Sequence, residues 1–148
     1  MATVEIVEAA PDDLEAVVQL FDAYRVFYRQ SSDVAAARAF IRERFARRDS
    51  VIFLGRVGGE PAGFVQLYPS LSSVSMRPIW ILNDLFVAPA ARGAGVGRRL
   101  ITIITKRSNH MPVFTTMDKM NMNVMLVLSL RDHRVVSGIA RLQAISVQ

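Results

Sequence analysis

Residues Ile79–Gly97 read Ile-Trp-Ile-Leu-Asn-Asp-Leu-Phe-Val-Ala-Pro-Ala-Ala-Arg-Gly-Ala-Gly-Val-Gly. An apolar run, Ile79–Val87, leads into a glycine loop at Arg92–Gly97, and an apolar, Arg-bearing run, Val96–Lys106, follows. A strand, a glycine loop and a helix start in that order form an anion cradle. Unpaired loop and helix-start amides, with the partial positive charge of the helix N-terminus, suit a phosphate or pyrophosphate. The near-continuous apolarity of Ile79–Val87 predicts a central strand buried on both faces, with Asn83 and Asp84 as its only polar members.

Upstream, Val4 and Ile6 alternate with polar residues, which predicts a short strand. Pro11-Asp12-Asp13 punctuates, with Asp supplying an N-cap oxygen. Leu14, Val17, Val18, Phe21, Tyr24 and Tyr28 then recur at helical spacing, so Asp13–Arg29 reads as an amphipathic helix. Ser31-Ser32-Asp33 caps a second helix with an apolar stripe of Val34, Ala37, Phe40, Ile41 and Phe45. Its Arg-rich face reads as solvated surface. Ser50–Val57 is a strand, Gly58-Gly59-Glu60-Pro61 a turn, and Ala62–Tyr68 the returning strand of a hairpin. Pro69–Pro78 is a loop or an irregular strand. The order β-α-α-β-β-β-α predicts an α/β (α+β) sandwich with a mixed central sheet flanked by helices. Val113–Thr116, Val124–Leu130 and Val135–Leu142 are the candidate strands beyond it.

With 148 residues the chain is long enough for one domain with a real core. No apolar stretch approaches the ~20 residues of a bilayer span. The first residues lack a signal-peptide pattern, and there is no cysteine. These features fit a cytoplasmic protein with no membrane partner and no thiol catalysis. The net charge is +5, but twelve Arg face eleven Asp or Glu in residues 1–101, against six Lys or Arg and two Asp in residues 102–148. The excess sits in the tail without a basic stripe interleaved with aromatics, which argues against a nucleic-acid partner.

Composition also changes at Thr102. Residues 1–101 contain no Lys and a single Asn, Asn83, whereas five Met lie between Met111 and Met125. Alanine falls to Ala140 and Ala144 beyond this point. A natural idiosyncratic C-terminus, a reading-frame change or a fusion scar would each produce this. The change falls inside an apparent helix with no linker, an odd place for a domain boundary. Residues 1–148 are therefore read as one domain with an atypical tail.

Three phosphate cradles compete for the loop. A P-loop needs Lys-Ser/Thr after its last glycine, where Arg98-Arg99 stands. A dinucleotide fingerprint needs a third glycine where Arg98 stands, and an acidic residue about 20 residues on. The third reading fits. Leu85–Gly97, with Val87-x-Pro89 leading into Arg92-x-x-Gly95-x-Gly97, resembles motif A of the GCN5-related N-acetyltransferases, and the upstream element order matches over residues 1 to about 106.

The resemblance implies acetyl-coenzyme A as cosubstrate, no metal, and direct acetyl transfer to a primary amine of a small molecule. A homodimer is compatible with it. It places the pyrophosphate on the amides of Gly93, Ala94, Gly95, Val96, Gly97 and Arg98. Gly95 and Gly97 allow close backbone approach, and Arg98 adds charge. Arg92 either binds phosphate or braces the loop. The pantetheine arm pairs with the strand end at Leu85, Phe86 and Val87, where one amide polarises the thioester carbonyl.

Leu82–Val87 also resembles the Leu-Glu-Asp-Phe-Phe-Val of spermidine/spermine acetyltransferases. Asn83 replaces the relaying carboxylate, which leaves Asp84 as the candidate base. Strand alternation puts Asn83 with Leu85 and Val87, and Asp84 on the opposite face; a bulge re-aims either. Tyr24, Phe27, Tyr28 and Asp33 lie where the first helix pair walls the acceptor site, with Tyr24 and Tyr28 as candidate substrate contacts. As a helical stripe, most of them read as core rather than as substrate contacts. Trp80 reads as packing, and His110 and His133 as surface residues.

The family's C-terminal Tyr, which donates to the departing thiolate, has no counterpart, because no Tyr follows Tyr68. Asn121 and Asn123 lack the pattern that would assign them a role. A degenerate or altered-frame member that binds coenzyme A but transfers poorly, and a nucleotide-binding module of another fold, are the competing readings.

Overall fold

The computed structural model describes residues 2–107, 113–119 and 122–128. Strand β1 (Val4–Glu8) is followed by helices α1 (Leu14–Phe27) and α2 (Val34–Arg47). Strands β2 (Val51–Val57), β3 (Glu60–Ser72) and β4 (Arg77–Val87) come next, then α3 (Val96–Arg107), β5 (Val113–Lys119) and β6 (Met122–Leu128). The six strands form one sheet in chain order. All neighbours are antiparallel except β4 and β5, which run parallel across the α3 crossover. The sheet is mixed, as the sequence predicts, and the element order through α3 is the expected one.

Side-chain alternation gives the sheet two cores. Ile52, Leu54, Phe64 and Phe86 meet Val17, Val18, Leu20, Ala37 and Ile41 of α1 and α2. Phe53, Val65, Leu67, Leu82 and Val113 meet Val96, Leu100 and Ile104 of α3 on the other face. The four-residue spacing of that last trio draws one apolar stripe down α3. Each fully buried aliphatic side chain of this kind contributes about 1.5–3 kcal/mol.

Several local expectations change. Asp13 makes no side-chain cap bond to α1. Its carboxylate instead accepts from Ala10 N–H at 3.0 Å and from Arg56 at 3.0 Å. The first helix is shorter than expected, spanning Leu14–Phe27, and Asp13 closes a separate 3-10 turn, Pro11–Asp13. Asp33 does cap α2, accepting from Ala36 N–H at 2.9 Å, but Val34 of the expected apolar stripe is exposed. Strand β3 runs on through Pro69 to Ser72, and β4 begins two residues earlier than its apolar run. Ser70 and Ser72 keep pairing with β4 as far as Arg77, because backbone bonds sustain a ladder whose side chains are polar. Candidate strands Val113–Thr116 and Val124–Leu130 correspond to β5 and β6; Val135–Leu142 lies outside the described residues.

One contact fixes α3 on the sheet. Gly55 and Gly63 pair across β2 and β3. A Cβ on Gly55 would stand 2.7 Å from Val96 Cγ1, and one on Gly63 would stand 2.7 Å from the Phe86 carbonyl oxygen. The two glycines leave a hollow that Val96, 1% exposed, fills. Gly63→Ala should therefore cost about 1–3 kcal/mol, the usual range for overpacking, because the obstructing atom is backbone. Urea unfolding monitored by circular dichroism checks this; an unchanged midpoint would remove the steric account.

Candidate active site

The glycine loop sits at the end of β4. Pro89–Ala91 makes one 3-10 turn, and Gly93 and Gly95 follow with φ of 86° and 83°. These left-handed values favour glycine, and no atom lies within 4 Å of a Cβ built at either position. The face of the loop is open. Gly97 differs: a Cβ there would meet Val87 Cγ2 at an ordinary 3.5 Å. The conformational demand thus falls on Gly93 and Gly95 rather than on Gly97.

Arg99 N–H donates to Gly95 O at 3.0 Å and starts the α3 ladder. The amides of Val96, Gly97 and Arg98 precede it and have no partner within the helix. The Val96 side chain points into the core, so Val96 has only its backbone to offer a ligand. Ala94, Gly95 and Arg98 are exposed. A cleft of about 550 Å³ runs along α3 beside Ile6 of β1, lined by Gly95, Arg98, Arg99, Thr102, Ile103 and Lys106. Open amides, positive charge and the absence of Cβ atoms make this cradle fit a phosphate-bearing group. Arg92 lies with its Cζ 5.9 Å from the centre of the Phe27 ring. Of its two expected roles, this contact favours bracing the loop against α1.

The strand before the loop parts from its neighbour. Strands β4 and β5 pair only at Trp80–Val113, Ile81–Phe114 and Leu82–Thr115. Beyond Leu82 the β5-side edge of β4 has no partner strand among the described residues. Ala88 N–H donates to Ala62 O at 2.9 Å. Alternation along an extended strand then turns Phe86 N–H toward β3, and Leu85 and Val87 N–H toward the free edge.

At the head of that edge the register shifts. Gln66 pairs with Asp84 and Leu67 with Leu82, so Asn83 is an extra residue bulged from β4. The expected grouping of Asn83 with Leu85 and Val87 is therefore corrected. Leu85 and Val87 pack toward α3, as Leu82 and Trp80 do on the far side of the bulge. Asn83 is exposed, and its Nδ2 donates to Asp84 Oδ1 at 3.1 Å.

Asp84 faces the α1 side, opposite Leu85, as alternation predicts. It is 5% exposed. Burial raises its carboxyl above the ordinary carboxylate range, and hydrogen bonds from Tyr24 and Asn83 pull it partly back. Burial also pushes the Tyr24 hydroxyl far up, reinforced by its bond to Asp84. Tyr68 is pushed up to about 12, by burial first and the Asp84 charge second. Both tyrosines thus stay protonated at neutral pH beside one carboxylate.

Sequence patterning misses two members of this cluster. Gln66 is fully buried, donates to Ser50 Oγ at 3.0 Å, and leaves its Oε1 without a partner. It pairs directly across from Asp84. Tyr68 follows two residues later on the same face. A polar Gln inside the apolar run Phe64–Leu67 is the signal that could have found them.

Tyr24, Phe27 and Tyr28 form a ring cluster with Phe86. The Tyr24–Tyr28 centroids lie 4.9 Å apart, Tyr24–Phe86 6.2 Å and Phe27–Phe86 6.4 Å. Phe27 and Tyr28 are exposed, so they are not core. Asp33 stays at its capping position, and Trp80 packs against the α3 core. His110, Asn121 and His133 lie outside the described residues, and Asn123 falls in β6. No group of His, Cys, Asp or Glu suited to a metal occurs among the described residues.

The profile of the Acetyltransferase (GNAT) family matches residues 14–120, running past the composition change at Thr102. An uncharacterized N-acetyltransferase of Bacillus subtilis (strain 168), YhfO, is 50% identical over 95 residues, 64% of each chain. A probable acetyltransferase of Haemophilus influenzae is 34% identical over 91 residues, 61% of this chain and 62% of that one. The chain thus spans just under two thirds of the length of these relatives. The crystal structure of a probable acetyltransferase superposes with a TM-score of 0.72 at 34% identity, covering 79% of this chain and 81% of that one. A strand that splits from its parallel neighbour, a glycine loop with open amides and a matching profile over most of the chain converge: the chain belongs to the GNAT acetyltransferase family.

Proposed function

We propose that the protein is an acetyl-coenzyme A-dependent N-acetyltransferase that acts on the primary amine of a small molecule by direct transfer. The observation that carries this reading is the end of β4–β5 pairing at Leu82. It leaves the Leu85 and Val87 amides on a free edge, between the buried Asp84 and the glycine loop. When bound, acetyl-coenzyme A supplies an acetyl group activated as a thioester.

The amides from Gly93 to Arg98, with the Arg98 charge, would hold its pyrophosphate. The edge at Leu85, Phe86 and Val87 would receive its arm. Alternation selects Leu85 and Val87 as the amides that donate there. Asp84 is the proposed base for the acceptor ammonium, and the exposed Asn83 carries one donor to it. The amine nitrogen forms the new C–N bond as the thioester C–S bond breaks. Asp84 passes the proton it took to solvent, the nitrogen releases its second proton as the amide forms, and solvent supplies one to the thiolate, so that one proton is released overall.

Thiol release with a panel of amines tests the reading. Asp84→Asn should lower turnover by about 10²–10⁴-fold, the usual contribution of a general base, with coenzyme A affinity unchanged; equal loss of both would mark Asp84 as structural. Tyr24→Phe removes a bond that favours the Asp84 anion, so the acid limb of kcat/KM should move to higher pH; a limb that stays put denies Asp84 the proton transfer. Coenzyme A should raise the melting temperature of the wild type but not of Gly95→Ala, since that residue must hold φ of 83°.

Burial of Asp84 also affects stability. Its folded-state pKa lies above its unfolded value, so the folded state binds more protons between the two. Stability therefore falls as pH rises from about 4, the unfolded value, through the raised one. Asp84→Asn should remove that fall, measured as urea midpoints across the acid-to-neutral range. Parallel slopes in the two proteins would show that the carboxylate ionises normally.

A further inference from the structure

The surroundings of Asp84 narrow the acceptor, on the reading of acetyl transfer given above. From the carboxylate outward, Tyr24 bonds to Asp84, contacts Tyr28 and Phe86, and leads to Phe27 at the surface. Phe27 is 61% exposed and Tyr28 45% exposed. The two rings are neighbours at the surface and adjoin a buried charge, and contiguous exposed apolar surface of this kind marks binding sites.

The charge pattern along this path is one-sided. Asp84 is the acidic side chain within it among the described residues; Asp49 acts on the neighbouring Tyr68 but is paired with Arg44 at 2.9 Å. Asp22 lies nearby on α1, but its oxygens are taken by Ser32 Oγ at 2.6 Å and Asp33 N–H at 2.8 Å. Asp33 itself caps α2. At the rim stands a cation, Arg92 over Phe27, while Arg25 on the same helix is paired with Asp22. A polycation would bring its second and third charges to a rim that repels them, with no carboxylate to receive them.

We infer that the acceptor is a monoamine: one primary ammonium, directed to Asp84, on an aromatic or aliphatic body that lies against Phe27 and Tyr28. One charge matches one carboxylate, and an apolar body covers rings otherwise left in water. Ring contacts to a bound cation or aryl group add to the area they bury.

The test compares 2-phenylethylamine, hexylamine, spermidine and an aminoglycoside, using thiol release and calorimetric binding to the coenzyme A-saturated protein. The two monoamines should exceed spermidine in kcat/KM by at least about tenfold, near the value of one ring contact. Phe27→Ala should raise KM for 2-phenylethylamine by about tenfold with kcat within about twofold, whereas Phe27→Leu restores most of the affinity. Preference for spermidine or the aminoglycoside would overturn the inference and leave acetyl transfer standing. Binding of the monoamines without thiol release would uphold the acceptor class and overturn the transfer reading. Absence of monoamine binding overturns the inference in every case.

Discussion

The site depends on the seating of Val96. A helix can meet a sheet at many heights and angles, and ordinary side chains on β2 and β3 would hold α3 away. Gly55 and Gly63 stand side by side without Cβ atoms, and the first residue of α3 drops into that space. Its depth fixes where the helix begins. That start sets the three free amides relative to the end of β4, and with them the loop of Gly93 and Gly95. Leu100 and Ile104 continue the same line of burial. The cradle is thus positioned by packing beneath it.

The second constraint is the bulge at Asn83. One additional residue in β4 lets Leu82 and Leu85 both face α3, although their spacing would place them on opposite faces of a regular strand. It also lets Asp84 turn toward α1 while the rest of the strand feeds two apolar cores. A carboxylate placed there is costly, and two groups reduce the cost: the Tyr24 hydroxyl and the Asn83 amide. Gln66 Oε1 across the strand pair adds an acceptor with no donor of its own.

The sequence reveals these features unequally. Glycines after an apolar strand and Val-x-Pro before them announce the loop, because its chemistry is backbone chemistry and requires particular residues at particular places. The two-layer arrangement is equally open to reading, since the periods of 3.6 and 2 separate α1 and α2 from β2, β3 and β4. What patterning cannot supply is cross-strand register. Asn83 joins Asp84 rather than Leu85 because β3 and β4 slip by one residue, and no residue of β4 announces that slip. Gln66 and Tyr68 escape for the same reason: their proximity to Asp84 is a matter of pairing across a hairpin. Asp13 shows a third kind of miss, in which a distant Arg56 outcompetes a local cap.

The three-residue pairing of β4 with β5 has a consequence for how such a site tolerates change. From Leu85 to Val87 the side chains serve the two cores, while the main chain alone looks into the gap. On the proposed reading, recognition along that edge is written in N–H groups that every residue except proline carries. Any side chain that keeps the strand in place keeps the edge intact, so the binding surface can drift in sequence while its geometry persists. Asp84, one residue earlier, has no such freedom if it is the proposed base. A single strand thus carries a portion indifferent to residue identity and a portion wholly dependent on it, and the boundary between them falls where the sheet comes apart.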